Sequence, residues 1–441
     1  MRRYRRVTYS KAIKFLYSLQ LFGTKFGLEN TLKLAALAGN PQQKLRFIHV
    51  AGTNGKGSTC AMLESIYRAA GLRVGLFTSP HLVSFRERIQ INRELIKKKN
   101  VTQLVVELQI LLRHFTAKQH PTFFEVVTVM ALKYFTEKNC DLVIWETGLG
   151  GRLDATNIVM PLASVITNIQ FDHEKWLGDS LEKIAFEKAG IIKPGIPVIT
   201  AVESNEALKV IRHTAKKYIA PLTIISPNSK LKTQNLKLSL LGDHQKTNAA
   251  SAMATVRILN SQIPVSKKII TEGLSRVHWP GRFQVIQKYS QRILLDGAHN
   301  PASAQTVRTT LAKYFPTEKI TLILGILRDK NFGAMSRILA PLAEKILLVP
   351  VSNARTLLPK EWKGACQKIN PAAKIIPCET LADALQQSAS DPFLVITGSL
   401  YLIGEAMELL KISSGKKPAE RGLNEWNDIP LFSKEKCVVR G

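Results

Sequence analysis

Short apolar runs alternate with helical patterns through the middle of the chain. Five runs, each followed by a loop with Gly, Ser, Asn or Pro, are predicted to be buried strands: residues 47–50, 74–77, 142–145, 163–167 and 197–200. Between the first two, Leu63, Ile66, Tyr67 and Ala70 form an apolar stripe with helical spacing. The pattern predicts a parallel α/β sheet, in which ligands bind at the loops that follow the carboxyl ends of strands.

A second series of the same kind follows the Trp-Pro-Gly turn at residues 279–281. Its predicted strands are residues 293–295, 321–324, 347–349 and 393–396. Because 441 residues is long for a single domain, the turn is a plausible boundary. We predict one domain over residues 1–279, a smaller one over residues 280–412, and a polar tail over residues 413–441.

The net charge of +29 is the unusual part of the composition. It attracts nucleic acid, acidic membranes, nucleotides and polyglutamate alike, so the charge alone does not identify a partner. A basic nucleic-acid-binding ATPase is one alternative, but no helicase or RNA-binding motif is recognisable. No apolar run approaches the ~18 to 20 residues of a membrane span. We expect neither a specific nucleic acid nor a membrane as a partner.

The cysteine pattern and the N-terminal sequence both bear on where the protein is located. The five cysteines are scattered and contain no C-x-x-C pair, which favours neither a zinc site nor a disulfide framework: Cys60, Cys140, Cys366, Cys378 and Cys437. Residues 1–6 are rich in arginine, as in a transit peptide. However, Ala12, Phe15, Leu16 and Leu19 have the spacing of an amphipathic core helix. We therefore predict a cytoplasmic protein.

The sharpest local motif is HVAGTNGKGST, residues 49–59. An apolar strand runs into a glycine-rich loop with Lys56 and then into a predicted helix. Glycines let backbone N–H groups surround phosphates, and a helix N-terminus adds positive potential. Val50 and Gly57 depart from the strict Walker pattern. The predicted fold class is α/β, with an N-terminal P-loop-type parallel-sheet ATPase domain followed by a smaller Rossmann-like α/β domain.

Two further loops carry side chains that suit Mg²⁺. Glu146 directly follows one predicted strand, and Asp172 and His173 follow the next. Carboxylate, hydroxyl and water oxygens are the ligands that Mg²⁺ prefers, so Glu146 is the more natural ligand and His173 the less obvious one. Each could singly be a structural polar residue, but their positions after neighbouring strands favour a functional role.

These motifs together resemble the folylpolyglutamate synthase and dihydrofolate synthase family, relatives of the muramyl-peptide ligases. The matching stretches follow the family order from about residue 10 to about residue 410, and they are residues 51–59, 78–82, 123–125, 146–157, 172–173, 176–178, 187–191, 244–250, 280–283 and 296–301. The variant phosphate loop is the form that this family uses. Residues 152–157 and 176–178 favour the folate branch over a cell-wall amino-acid ligase.

The resemblance implies a role for each matched residue. The implied ATP-binding residues are Thr53, Asn54, Gly55, Lys56, Gly57, Ser58, Asn248, Arg282 and Asp296. The implied ligands of two Mg²⁺ ions are Ser79 and Glu146 for one, and His173 and a carbamylated Lys188 for the other. The implied catalytic residues are Lys56, Lys188, His173 and His299. The implied substrate-binding residues are Thr122, Phe123, Phe124, Glu125, Leu153, Asp154 and Ala155, with residues 24–26 as a further candidate segment.

Four of these residues also have ordinary structural interpretations. Lys188 could be a plain helix-surface lysine, and Arg282 a surface arginine. Phe123 and Phe124 could both be core residues. In an extended loop, however, their side chains would point in opposite directions, which would leave one ring free to stack on a pterin.

The activity that the resemblance implies is ATP-dependent formation of an amide between L-glutamate and a folate-type carboxylate, through an acyl phosphate. The substrates would be ATP, L-glutamate, and dihydropteroate or reduced folates. The motifs do not separate a bifunctional enzyme from one that has only the dihydrofolate synthase or only the folylpolyglutamate synthase activity. We expect a monomer.

Overall fold

The chain folds into two β-sheets, each flanked by helices. The structure is a computed structural model, and it describes residues 7–23, 25–226, 236–288, 290–412 and 420. The predicted α/β fold class is confirmed, with a mainly parallel sheet in each half. The proposed domain boundary at residues 279 and 280 stays a prediction, and apart from Glu420 the predicted tail lies outside the described residues.

The first sheet has eight strands in the order β4-β3-β2-β5-β1-β6-β7-β8. They are β1 (Phe47–Ala51), β2 (Val74–Phe77), β3 (Ile89–Ile91), β4 (Glu94–Leu95), β5 (Leu142–Glu146), β6 (Ala163–Ile166), β7 (Val198–Thr200) and β8 (Leu222–Ile224). All neighbours are parallel except β2 with β3 and β3 with β4. Strand β1 lies between β5 and β6, so the chain leaves it at the point where the strand order reverses. Such a point is where ligands bind in open α/β sheets.

Helices cover both faces of the first sheet. They are α1 (Tyr9–Ser18), α2 (Glu29–Leu37), α3 (Lys56–Ala69), α4 (Lys98–Leu112), α5 (Phe123–Glu137), α6 (Glu174–Leu177), α7 (Leu181–Ala189), α8 (Asn205–Lys217), α9 (Asp243–Ile258) and α10 (Lys267–Ser275). Successive residues of a strand point to opposite faces, so Phe47 packs with α1, α2, α4 and α5, while Ile48 packs with α3, α9 and α10. Ala12, Leu16 and Leu19 are buried, as the sequence predicted for an amphipathic core helix.

The second sheet has six strands in the order β13-β12-β11-β14-β10-β9. Its strands and helices are β9 (Gln284–Lys288), β10 (Gln291–Asp296), α11 (Pro301–Tyr314), β11 (Thr321–Leu324), α12 (Phe332–Leu339), β12 (Lys345–Leu348), α13 (Pro359–Ile369), β13 (Lys374–Pro377), α14 (Leu381–Gln387), β14 (Phe393–Thr397) and α15 (Leu400–Leu409). Only β9 and β10 pair antiparallel. Within the described part of the chain, no helix is long and apolar enough to cross a membrane.

Every strand predicted from an apolar run is present, with bounds that differ by at most a few residues. The strands that the sequence did not predict are β3, β4, β8, β9 and β13, which lie at or next to sheet edges. Edge strands are covered on fewer sides, and β8 has no fully buried residue. They therefore lack the continuous apolar run that identifies a central strand. The four cysteines in the described ranges are free and buried.

Candidate active site

A cavity of about 1460 Å³ lies between the carboxyl edges of the two sheets. Residues after β1, β5 and β6 line one side, and residues after β10, β11 and β14 line the other. Every site residue that the sequence analysis named by number lines this cavity, although they are spread from Thr53 to His299. Of the further segment at residues 24–26, Lys25 and Phe26 also line it, while Thr24 lies outside the described residues. The structure therefore brings the whole predicted set together.

The loop between β1 and α3 has the shape of an anion-binding turn. Gly55, at the N-cap of α3, has φ +83°, a left-handed conformation that favours glycine. A Cβ atom there would lie 2.5 Å from Asn248 Oδ1, so close packing also requires glycine. No side chain caps the first turn of α3, which lines the cavity. The backbone N–H groups of that turn are therefore available to phosphate oxygens.

The same loop is braced against the segment after β6. Thr53 Oγ1 donates to Gln170 O at 3.1 Å, and Asn54 N donates to Asn168 Oδ1 at 2.7 Å. Asn54 Nδ2 also donates to Gln170 Oε1 at 2.8 Å. Lys56 Nζ donates to Gly52 O at 3.0 Å, so its ammonium group lies directly over the loop. The loop and its lysine are thus held in place before any ligand contacts them.

Glu146 and Ser79 are adjacent at the cavity wall. Glu146 is only 3% exposed, and Ser79 N donates to Glu146 Oε2 at 3.1 Å. Burial raises the pKa of Glu146 to about 7, while the positive charge of Lys56 opposes the rise. A buried carboxylate beside a hydroxyl is a suitable donor set for Mg²⁺. No group of three or more His, Cys, Asp or Glu side chains in the described ranges could hold a metal, so phosphate and water oxygens would have to complete the coordination.

Lys188 lies inside the molecule rather than on the helix surface, so its plain structural interpretation is wrong. It is 4% exposed, and its Nζ donates to Gly52 O at 2.9 Å, the same carbonyl oxygen that Lys56 contacts. Burial, and then the positive charge of Lys56, lower the pKa of Lys188 to about 7. A large fraction of the amine is therefore neutral near pH 7, and a neutral amine can react with CO₂. The site is chemically suited to a carbamate.

The pKa of His173 is also lowered by its surroundings. Burial lowers this pKa to about 3, and the positive charge of Lys330 adds to this effect. Its imidazole is therefore neutral at physiological pH, which is the form that binds metal ions. His173 has φ +55° at the N-cap of α6, so a left-handed backbone turn carries its side chain.

Asp172 connects the two sides of the cavity. Lys330 Nζ lies 2.6 Å from Asp172 Oδ1, Asn300 Nδ2 donates to Oδ2 at 3.1 Å, and His299 Nε2 lies 3.4 Å from Oδ2. Burial alone would raise the pKa of Asp172, but the His299 hydrogen bond and the surrounding positive charges hold it well below its usual range. Asn300 also donates to Asn54 Oδ1 at 3.1 Å, so the second sheet contacts the phosphate loop itself.

Arg282 and Asp296 lie on the second side of the cavity, as the sequence analysis expected. Asp296 is 9% exposed and accepts hydrogen bonds from Phe283 N at 2.8 Å and Ala298 N at 2.9 Å. Its carboxylate therefore fixes the two backbone segments that carry Arg282 and His299. The half-buried Arg282 donates to Gly281 O at 3.2 Å and lines the cavity, so it is not a surface arginine.

The segment predicted to bind the substrate starts a helix instead of forming an extended loop. Phe123 and Phe124 are the first residues of α5, so the argument that their side chains must point in opposite directions is wrong. Phe123 is 9% exposed and belongs to the core on that face of the sheet. Phe124 is half-buried, and its ring packs closely against Gly148. A Cβ atom added to Gly148 would lie only 2.6 Å from the nearest carbon of the Phe124 ring. Both rings still line the cavity.

Three polar residues of the predicted substrate-binding set have structural partners. Thr122 and Glu125 form a capping box at the start of α5, and Thr31 Oγ1 donates to the second Glu125 oxygen at 3.3 Å. Asp154 accepts from Gly148 N at 3.1 Å and Leu149 N at 2.8 Å, which holds the glycine-rich loop after β5. These residues shape the cavity wall, and direct contact with a substrate stays a prediction for them.

The sequence analysis missed several residues at the cavity. Lys330, Ser399 and Tyr401 follow β11 and β14, so the rule that ligands bind after the carboxyl ends of strands could have found them. Arg355 lines the cavity near Tyr401, and its Nη2 lies 3.3 Å from Tyr401 Oη. Arg88 is buried, and it precedes the short strand β3 next to the sheet edge, where no local signal distinguishes it.

Two domains of known ligases match this chain. The Mur ligase middle domain matches residues 50–256, and the Mur ligase glutamate ligase domain matches residues 281–400. The chain is 36% identical over 427 residues to the dihydrofolate synthase/folylpolyglutamate synthase of Bacillus subtilis, covering 91% of this chain and 99% of that protein.

Two solved structures have the same fold. A folylpolyglutamate synthase of Thermotoga maritima has a TM-score of 0.82 and 34% identity, covering 93% of this chain and 98% of the other. E. coli FolC in complex with DHPP and ADP has a TM-score of 0.81 and 30% identity, covering 92% and 98%. The domains and the cavity are thus those of a Mur-type ligase. Within that class, the chain belongs to the folylpolyglutamate synthase/dihydrofolate synthase family, which confirms the resemblance.

Proposed function

We propose that this protein is an ATP- and Mg²⁺-dependent ligase that joins L-glutamate to a folate-type carboxylate, with dihydropteroate and reduced folates both accepted. One observation carries the proposal. One cavity, in a chain of this family, is lined by the phosphate loop, by the buried Glu146 and Lys188, and by Arg282 and His299 from loops beside the second sheet.

ATP would bind with its phosphates at the N-terminus of α3. Residues 53–58 supply backbone N–H groups and hydroxyls, and Lys56 supplies a positive charge that is already held over the loop. Arg282 would contact phosphate oxygens from the second sheet, because its planar guanidinium suits bidentate binding. Asn248 and Asp296 would complete the nucleotide site, Asn248 by packing on Gly55 and Asp296 by holding the segment that carries Arg282.

Two Mg²⁺ ions fit the side chains present. Ser79 and Glu146 would hold one ion, and His173 with a carbamylated Lys188 would hold the other. Bound there, the ions would neutralise charge on the transferring phosphoryl group. The depressed pKa values of Lys188 and His173 support this assignment, because both side chains lie at the cavity without a full positive charge at neutral pH.

The proposed reaction requires no covalent bond between the enzyme and a substrate. The acceptor carboxylate oxygen forms a bond to the γ-phosphorus of ATP, the bond to ADP breaks, and an acyl phosphate results. The amine of L-glutamate then attacks the acyl carbon, phosphate leaves, and the amine loses a proton as the amide forms. Lys56 and Arg282 would stabilise the charge on the phosphoryl oxygens during transfer. His299, whose Nδ1 lies 2.8 Å from Gly297 O, would act near the acyl carbon.

The position between two sheets suits an intermediate that water destroys. An acyl phosphate hydrolyses readily, and residues from both sheets would exclude water from it. The acceptor would lie against Phe124, Leu153 and Ala155, with Phe123, Thr122, Glu125 and Asp154 holding that wall in shape. The B. subtilis relative is named for both synthase activities, and the E. coli structure contains DHPP, which supports the bifunctional alternative over a monofunctional enzyme.

We also propose that the active unit is a cytoplasmic monomer that does not bind a specific nucleic acid. All of the predicted site residues come from one chain, so a second copy is not needed to complete the cavity. The division into residues 1–279 and 280–412 is supported by the two separate sheets, the first of which ends at Ile224 and the second of which begins at Gln284.

The test is a ligation assay with purified protein, Mg-ATP and labelled L-glutamate. Dihydropteroate and tetrahydrofolate are supplied in separate reactions. We expect incorporation with both acceptors and none with Lys56→Ala. The matched control is Lys183→Ala, an exposed lysine of α7, which should retain activity. Incorporation with one acceptor would establish a monofunctional enzyme, and incorporation with neither would exclude the folate assignment.

A further inference from the structure

Glu420 contacts the first half of the chain at a site that the proposed mechanism does not use. Its carboxylate oxygen Oε2 accepts hydrogen bonds from Ser84 Oγ and Phe85 N, both at 2.8 Å. Its backbone carbonyl oxygen lies 2.7 Å from His81 Nε2. The three contacts join Glu420 to residues that follow Ser79 by only two to six positions and precede the strand β3.

The Ser84 hydroxyl and the Phe85 N–H form a pair of donors that suits a carboxylate. Ser84 N donates to Glu87 Oε1 at 2.6 Å within a capping box, so the Ser84 hydroxyl proton is the group that remains for Glu420. Two donors on one oxygen form a charge-assisted pair. Burial raises the pKa of Tyr9, and the negative charge of Glu420 raises it further, so the carboxylate also lies close to α1.

His81 connects Glu420 to Arg88, a residue that lines the cavity. A backbone carbonyl oxygen only accepts, so His81 Nε2 must carry the proton that it donates to Glu420 O. The other ring nitrogen, Nδ1, is then an acceptor, and Arg88 Nε donates to it at 2.9 Å. Since an arginine only donates, the two contacts require the same tautomer of His81. His81 is 2% exposed, so its ring has no solvent-facing alternative.

Arg88 is placed where an anionic substrate would be recognised. It is 4% exposed and lines the cavity. Its guanidinium carbon lies 5.4 Å from the centre of the Phe123 ring, and its charge is among those that lower the pKa of Glu146. The guanidinium group is therefore near both the predicted acceptor wall and a predicted metal ligand. A planar guanidinium in that position suits a carboxylate.

We propose that Arg88 binds a carboxylate of the substrate, and that Glu420 and His81 are positioning residues that orient it. The carbonyl oxygen of Glu420 accepts the proton of His81 Nε2 and so holds the His81 ring in place, and the ring nitrogen Nδ1 then holds Arg88 Nε. Glu420 thereby supports the active site from outside the two sheets. The identity of the carboxylate rests on the proposed function, which supplies two anionic candidates, the acceptor and L-glutamate.

The docking itself is tested without any activity assay. Thermal unfolding is measured for Ser84→Ala, Glu420→Ala and the double variant in the full-length chain. We expect each single variant to lower Tm, and the double variant to lower it by clearly less than the sum, because both remove the same hydrogen bond. The control is Glu379→Ala, which removes an exposed carboxylate and should leave Tm unchanged. Additive shifts, or no shift with Glu420→Ala, would show that the contact does not form in solution.

The positioning role is tested by steady-state kinetics with ATP, L-glutamate and the acceptor varied in turn. Arg88→Lys keeps the charge but loses the planar fork, and we expect it to raise KM about tenfold for one carboxylate substrate while KM for ATP is unchanged. Glu420→Ala should raise the same KM by a smaller factor, and Glu420→Gln should be intermediate. The double variant Arg88→Lys/Glu420→Ala should be no worse than Arg88→Lys alone.

The substrate whose KM rises identifies the carboxylate that Arg88 binds. Multiplying effects in the double variant, or an equal change in KM for ATP, would overturn the positioning role. An inactive wild-type protein would instead count against the proposed function. Wild-type activity with an unaffected Glu420→Ala variant would count against this inference alone.

Discussion

Lys330 Nζ lies 2.6 Å from Asp172 Oδ1, and this ion pair connects the segment after β11 of the second sheet to the segment after β6 of the first. Both side chains are nearly buried, with 9% and 6% of their surface exposed. Because Asn300 and His299 contact the other oxygen of the same carboxylate, Asp172 is the main polar link across the cavity. Its carboxylate therefore contacts residues from both halves of the chain beside the phosphate loop.

Removal of Lys330 should therefore impair catalysis more than an exposed lysine would. Lys330→Ala leaves a buried carboxylate with weaker partners, and losing a charged hydrogen bond costs about 1.5 to 3 kcal/mol. We expect kcat/KM to fall about ten- to a hundredfold. The control is Lys319→Ala, whose exposed ion pair with Glu344 should contribute little. Equal activity of the two variants would show that the ion pair is not needed for catalysis.

Arg282→Ala and Asp296→Ala should both lower turnover strongly, but for different reasons. Loss of Arg282 removes a charged phosphate contact, so we expect about a ten- to hundredfold fall in kcat/KM. Loss of Asp296 also leaves the N–H groups of Phe283 and Ala298 without their acceptor, so Tm should fall as well. Arg276→Ala, an exposed arginine, is the control. Unchanged kinetics of folded Arg282→Ala would remove the second sheet from the nucleotide site.

Lys188→Ala should be nearly inactive, whereas Lys183→Ala on the same helix should not. The neutral fraction of Lys188 grows as the pH rises through its pKa of about 7, so its reaction with CO₂ is favoured above that pH. Activity of protein depleted of CO₂ should accordingly recover on addition of bicarbonate.

Short carboxylic acids should partly restore activity to Lys188→Ala, because they supply the missing anionic oxygen ligand. An electron-density map of the active, nucleotide-bound protein should show a carboxylated Nζ. An unmodified Lys188 in such a map, or full activity of Lys188→Ala, would contradict the carbamate.

Acid should destabilise the protein partly through His49. Burial, and then the charge of Lys193, lower the pKa of His49 from 6.5 to about 3 in the folded protein. Below pH 6.5 the unfolded chain therefore binds a proton that the folded protein does not, and the stability that the neutral ring provides above pH 6.5 is lost progressively down to about pH 3. Tm should decrease accordingly as the pH falls.

His49→Asn removes the titrating group and the contact with Thr156 Oγ1 at 3.0 Å. The variant should be less stable at pH 7, but its Tm deficit should narrow as the pH falls to 4. His213→Asn, at an exposed position, should follow the wild-type curve throughout. A deficit that stays constant between pH 7 and pH 4 would mean that His49 does not titrate on unfolding.

The central strands and the phosphate loop were predictable from the sequence because their causes are local. A strand covered on both faces needs consecutive apolar residues, so β1, β5 and β6 were visible as short runs. The loop needs Gly55 for its left-handed turn and Lys56 for its charge, and both lie within a few residues of β1. The family motifs then identified residues across the whole chain that the structure places at one cavity.

Only the tertiary structure decided which environment each of those residues occupies. The surroundings of Lys188 come from the phosphate loop 136 residues earlier, so its burial and lowered pKa have no local signal. A helix begins at Phe123 because Thr122 and Glu125 form a capping box, whereas the sequence analysis expected an extended segment there. The contacts of Asp172 with Lys330 and of Ser84 with Glu420 join residues 158 and 336 positions apart. Hydrophobic periodicity reports only whether a residue is covered, whereas partners of this kind are set by how residues far apart in the sequence come together in the folded chain.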